Sequence, residues 1–262
     1  MMPGRRRLPE CIAAATTFAI GLSMMSTSIV MAAENDDALK LLKTMSDYLA
    51  GQKNFTVKFL SDVEVITPEV QKIQFSSSGN VSVSRPDKVH ASRSGGYADM
   101  EMTYDGKQVS LYAKHMNTFA QKDASGTLDE LIDKLQEDNV VLPGADLLLT
   151  NVYDELSKDV LSARHIGVGI VNGIECNHLA FRNRDIDWQL WIRTGSEPLP
   201  CKYVITSKNL AAAPEYTLTI LEWKPESSDT FKISVPANTT TIKFAELPPI
   251  DEVPPEADGE IK

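Results

Sequence analysis

The feature that most constrains this chain is a period-two hydrophobic pattern that stops for a helical stretch and then resumes. Phe55, Val57, Phe59, Val63 and Val65 alternate with Thr56, Lys58, Asp62 and Glu64, and Ile73, Phe75, Val81 and Val83 alternate with Gln74, Ser76, Ser78, Asn80 and Ser82. One apolar and one polar series at that period marks strands of a sheet with a dry face and a wet face. Shorter runs of the same kind read as strands at 88–94, 98–104, 108–113 and 116–121, with Asp105-Gly106 as a hairpin turn. The front of the chain is therefore an antiparallel meander.

Two stretches carry the helical period instead. Asn35 or Asp36 can cap a helix whose stripe is Leu39, Leu42, Met45 and Leu49, with Leu41 and Tyr48 beside it and Gly51 at its end. Thr127-x-x-Glu130 is a capping box ahead of Leu128, Leu131, Ile132 and Leu135. Past the break at Pro143-Gly144, the spacing of Leu147, Leu148, Val152 and Leu156 predicts one more helix. Strands resume from Leu161 to Val171, turn at Asn172-Gly173, and follow at 176–182, 188–193, 201–207, 216–223 and 231–235. A long antiparallel sheet must hide its apolar face, and it can do so by curling around its own helices. The expected fold is mainly β (α+β): one curved antiparallel sheet of roughly ten or more strands enclosing the helices that start near Asp36 and Thr127.

The first residues speak to location. Arg5, Arg6 and Arg7 head an apolar, charge-free run from Ile12 to Val30, and Val30-Met31-Ala32 ends it with small residues. A basic head, an apolar core and a small-x-Ala exit make a secretory signal peptide over residues 1–32, cleaved rather than kept as an anchor, since acidic residues follow it. That places the protein in the periplasm, with no segment left that is long enough to span a membrane. Residues 33–245 then form the half-barrel domain. Residues 246–262, with Pro248-Pro249, Pro254-Pro255 and six acidic residues, read as a disordered tail. Without residues 1–32 the chain keeps 23 basic and 35 acidic residues. A surface that acidic repels nucleic acid and anionic headgroups.

Cys176 and Cys201 remain after the leader is removed. Export favours a bridge between them. Yet two strands apart in a flat sheet means about 9.5 Å, against the roughly 7 Å a disulfide tolerates between Cα atoms. A bridge needs the strand between them to end early or the sheet edge to curl. The other reading is two separate thiols packed as small hydrophobes.

Motifs of catalysis are missing from the sequence. His90, His115, His165 and His178 form no pair at metal-ligand spacing, so no metal site is expected. Gly167-x-Gly169 followed by Asn172 lacks the third glycine of the dinucleotide fingerprint and reads as flexible strand. No Gly-x-Ser-x-Gly elbow occurs, and no cofactor is called for. The expectation is a non-enzymatic protein. Met100, Met102 and Met116 cluster in adjacent strands. Thioether chains adapt to irregular apolar partners, which suits a deformable ligand wall as well as core filling.

The run from Gly79 to Pro86 (Gly-Asn-Val-Ser-Val-Ser-Arg-Pro), then Tyr104-Asp105-Gly106-Lys107 and Leu111-Tyr112, resembles the outer-membrane lipoprotein carrier (LolA-like) family. The segments from Asn172 to Phe181, from Asp187 to Ile192 and from Pro198 to Pro200 are more similar to a bacterial family of predicted periplasmic proteins of unknown function, thought to share the carrier fold. The resemblance implies a half-barrel closed by helices, with a hydrophobic cavity for acyl chains. It also implies a role in opening and loading for Arg85, which stands before Pro86 as the carriers' Arg does. Lys88-Val89-His90 replaces the carriers' aromatic segment.

From the concave architecture, the expected ligand wall is Phe59, Phe75, Met100, Met102 and Leu111, with Arg85 added by the resemblance. A wall of aliphatic, Met and Phe groups favours acyl chains over sugars or nucleotides, which need convergent polar groups. The expected function is a periplasmic binding or carrier protein for a lipid or acyl-chain ligand. The alternative is a sensor or scaffold that uses the same fold to bind an envelope protein partner.

Overall fold

The computed structural model describes residues 27–96, 98–137, 143–227 and 229–247, with side chains from Asp36 onward. Its frame is one twelve-stranded sheet. The first meander is β1 (Asn54–Ile66), β2 (Lys72–Ser84), β3 (Lys88–Gly95), β4 (Asp99–Tyr104), β5 (Gln108–Ala113) and β6 (Thr118–Asp123). The second is β7 (Ser162–Val171), β8 (Ile174–Arg182), β9 (Ile186–Arg193), β10 (Pro200–Ser207) and β11 (Glu215–Lys224). They join where β11 lies antiparallel to β1, giving the order β12-β6-β5-β4-β3-β2-β1-β11-β10-β9-β8-β7, with β12 at Thr240–Lys243. This is the mainly β, open curved antiparallel sheet with helices on its inner face that the alternation calls for.

The turns follow from their residues. Asn172 and Gly173 both adopt positive φ, 49° and 78°, as a two-residue hairpin loop between right-twisted strands requires. Helix α1 (Thr27–Ala50) begins before the expected caps at Asn35 and Asp36, because no Gly or Pro in the stretch ahead of them stops it. Ala38, Leu42, Met45 and Leu49 form its buried stripe, with Ala38 in the place expected of Leu39. Helix α2 (Leu128–Glu137) has the expected capping box. The Glu130 amide donates to Thr127 Oγ1 at 3.2 Å, and the Thr127 amide donates to Glu130 Oε2 at 2.7 Å.

The expected third helix is broken into a 3-10 turn, Ala145–Leu148, and a short α3, Val152–Ser157. Thr150 turns its amide and hydroxyl toward the Asp129 carboxylate instead of continuing the helix. No strand forms at 231–235. Phe231 has φ 52°, which no strand accommodates. After β11 the chain instead crosses the outer face of the first meander. Thr56 donates to the Glu226 carbonyl at 3.1 Å, and His90 sits between Asp229 at 2.8 Å and Glu101 at 2.7 Å. The strap ends as β12, parallel to β6.

Cys176 and Cys201 are joined in a disulfide, with Cα atoms 7.0 Å apart. The intervening β9 ends at Arg193, opposite Cys176, and Cys201 lies in a bulge of β10 between Pro200 and Lys202. Residues 1–26 of the expected signal peptide and 248–262 of the expected tail lie outside the described residues, while Phe244–Glu246 forms a 3-10 turn.

Candidate functional site

The inner face of the sheet is covered unequally. Helix α1 packs on β7 and β9 of the second meander, where Leu179, Phe181, Trp188, Leu190 and Tyr203 are at most 3% exposed. Helix α2 and the 3-10 turn cover the other side and leave a cavity of about 480 Å³. Its floor is β1 to β4 and β11, and its roof is Leu128, Leu131, Ile132 and Leu135 of α2 with Leu147 and Leu148.

Register explains the floor. Val57 pairs with Val81, Ala91 with Met102, and Arg93 with Met100, so each pair shares the inner face. Several of these positions are short. Phe59 faces Gly79 across the β1–β2 ladder, and a Cβ at Gly79 would overlap both the Phe59 ring and the Ser92 carbonyl. Gly79 thus lets the ring lie down on the sheet instead of standing in the hollow. Ala91 likewise offers only a methyl group where a larger side chain would reach toward the roof.

Phe59, Met100 and Met102 line the cavity together. Leu111 pairs with Met102 and Phe75 with Val63, so both share the inner face, but neither lines the cavity. Arg85 is also outside the wall. It lies at the end of β2 nearest the helices, where its side chain is 8% exposed. Its guanidinium donates to the Gln52 carbonyl at 3.0 Å and the Leu149 carbonyl at 3.2 Å, stands 3.7 Å from Asp129, and covers the Phe55 ring at 5.6 Å. Burial lowers the Arg85 pKa, and the Asp129 charge partly offsets that. One side chain therefore ties the end of α1, the start of α2 and the 3-10 turn to the sheet.

Arg93 is absent from the expected wall. It is the one charged group among the described residues that line the cavity. The alternation Val89, Ala91, Arg93 puts it on the dry face, so parity alone marks it as an exception. Tyr216, Ile220 and Trp223 of β11 also line the wall, and Trp223 stacks on Phe55 with ring centres 4.9 Å apart. Their part follows from the β1–β11 closure, a pairing between residues far apart in the chain.

Asp146, within the roof's 3-10 turn, accepts a hydrogen bond from the Tyr203 hydroxyl at 3.3 Å, and its Oδ1 is buried without a hydrogen-bond partner. Burial raises its pKa to about 6, with the Tyr203 hydrogen bond pulling the other way. The Tyr203 hydroxyl is raised well above its usual range, by burial first and then by the Asp146 charge.

A family model described as "Predicted periplasmic protein (DUF2092)" matches residues 38–245. The chain belongs to that family. Members are thus described as periplasmic, and no helix among the described residues is long and apolar enough to cross a membrane. No protein of curated function matches the sequence. Among solved structures, an uncharacterized conserved protein from Thermus thermophilus is 12% identical, with 79% of this chain and 99% of that one covered at a TM-score of 0.44. The lipoprotein LppX of Mycobacterium tuberculosis is 10% identical, with 74% and 98% covered at 0.43. A LolA superfamily protein from Nitrosomonas europaea is 10% identical, with 75% and 97% covered at 0.33.

Proposed function

We propose that the protein works in the periplasm, released from its leader near Ala32, as a binding or carrier protein for a lipid-like ligand. The acyl chain lies under α2 against Phe59, Met100 and Met102. The observation that carries this reading is a cavity of about 480 Å³ whose described lining has one charged side chain. That volume falls within the roughly 300–1,000 Å³ of small-ligand pockets, and a mainly apolar lining suits a hydrocarbon chain. Each buried methylene contributes about 0.8 kcal/mol, so a partly buried chain holds in roughly the micromolar range after the costs of association. Arg93 supplies a cationic group for an acidic headgroup. Leu111 and Phe75 extend the apolar face for a longer chain. Arg85 acts on loading indirectly, by holding the roof.

A fluorescent fatty-acid probe tests this on folded protein. Met102→Asp places a carboxylate in the cavity and weakens binding by about tenfold or more, since desolvating a charge is costly. The outward control is Asn80→Asp, an exposed position on the other face of β2. Wild type that binds no apolar probe, or equal loss in both variants, removes the carrier reading and leaves binding of an envelope protein partner in its place.

A further inference from the structure

The two edges of the sheet are built differently. The β12 edge is four residues long, carries Lys243 and follows Pro236, which are ordinary devices against edge-to-edge pairing. The β7 edge is ten residues long and carries one such device, a bulge between His165 and Gly167. From Ile166 to Val171 it has no charge and no proline. Ile166, Val168 and Ile170 are 49%, 59% and 67% exposed, an apolar row on an edge strand. Such an edge invites another strand.

The sequence of that row names the strand. Ile166-Gly167-Val168-Gly169-Ile170 reads the same in both directions about Val168. We propose that β7 pairs antiparallel with β7 of a second copy, about a two-fold axis through Val168. Ile166 then faces Ile170 of the partner subunit, Val168 faces itself, and each glycine faces the other. Arg164 falls opposite Asn172, so no like charges meet.

From Gly167 to Val171 the backbone agrees with this register, and the bulge between His165 and Gly167 marks where the regular edge begins. The β7–β8 hairpin closes through its two-residue turn at the pair Val171 and Ile174. A pair closing such a turn exchanges hydrogen bonds, and alternation makes Gly169 and Gly167 the next residues bonded to β8. Val168 and Ile170 therefore turn their amide and carbonyl groups outward, and among the described residues no strand lies beyond them. Centring on Val168 makes it a hydrogen-bonded pair with itself. The interface is isologous and closes at two chains, as a two-fold demands. Neither the pairing nor its register depends on what fills the cavity.

Cysteine cross-linking of the full exported chain reads the register directly. In an antiparallel pair, facing Cα atoms stand about 5.5 Å apart, within reach of a disulfide. Val168→Cys should therefore give a covalent dimer on mild oxidation, with the Cys176–Cys201 bond intact by mass. Ile166→Cys alone and Ile170→Cys alone should not self-link, because their own copies stand roughly 13 Å apart. Mixing those two should restore the dimer. Sedimentation of the wild type should show a concentration-dependent dimer, weakened at least tenfold by Val168→Lys. A Val168→Cys protein that stays monomeric, or Ile166→Cys that self-links as readily, overturns the proposal. A wild type that pairs only with a foreign strand or a membrane overturns it too.

Discussion

The two halves of one sheet, each covered by its own helix, have opposite interiors. Under α1 the inward positions of β8 to β10 carry large rings and leucines. Phe181 stacks on Trp188 with centroids 3.8 Å apart, and Trp188 meets Tyr203 edge-on at 5.9 Å. Under α2 the inward positions include Gly79, Ala91, Val57 and Val81, and a cavity remains. Helix α1 comes close to β7 and β9, whereas α2 stands off the strands and meets the 3-10 turn. The wider gap under α2, together with short floor positions such as Gly79 and Ala91, leaves a site where the other half has a core.

Truncation should break that symmetry most sharply. Trp188→Ala in the filled half should cost about 3–5 kcal/mol, since it opens a hole in close-packed surroundings and strands the Asn183 side-chain oxygen Oδ1 that accepts from the indole at 2.9 Å. Met102→Ala in the hollow half should cost about 1 kcal/mol, because the space beside it is already open. Urea denaturation measures both, and equal costs would show that the halves are packed alike.

Arg85→Ala comes next, at about 3 kcal/mol, because it leaves two carbonyls without their donor and takes the positive charge away from Asp129. Arg85→Lys should recover only part of this, since an ammonium cannot reproduce the planar fork. Thermal melts of both variants test whether this residue clamps the helices. If Arg85→Ala keeps full stability but loses probe binding, the side chain acts on ligand directly and not through the roof.

Besides the β1–β11 ladder, the Asp146–Tyr203 hydrogen bond ties the roof of the hollow half to the filled half, and its effect is set by pH. The folded pKa of Asp146, about 6, lies above its ordinary value of 3.8, so the folded state holds the proton more tightly. Its contribution is complete below about pH 4 and is lost as pH rises toward 6, at most about 3 kcal/mol over that window. Asp146→Asn should flatten the window and stabilise the protein at pH 7. Unchanged pH dependence in that variant would mean the carboxylate is hydrated in the folded state.

Strand parity makes much of this legible. It places Phe59, Met100 and Met102 on the face that forms the cavity, and the Thr127 capping box locates α2. Leu111 and Phe75 show the limit of parity, which gives a face but not a position under the roof. The strap imitates a strand at 231–235 because apolar alternation there reflects partial burial on the outer face. Its path is set by long-range contacts, such as His90 with Asp229. The bridge between Cys176 and Cys201 depends on where β9 stops, a matter of one or two residues at a strand end.

Native mass spectrometry of the protein purified gently from the periplasm tests the central claim most directly. The wild type should carry one lipid-sized adduct per chain, extractable as an acyl compound. Ala91→Trp, which fills the hollow from the floor, should fold and carry none. Wild type at its bare chain mass, with no adduct after incubation with fatty acid, would contradict the account. So would an adduct that survives Ala91→Trp.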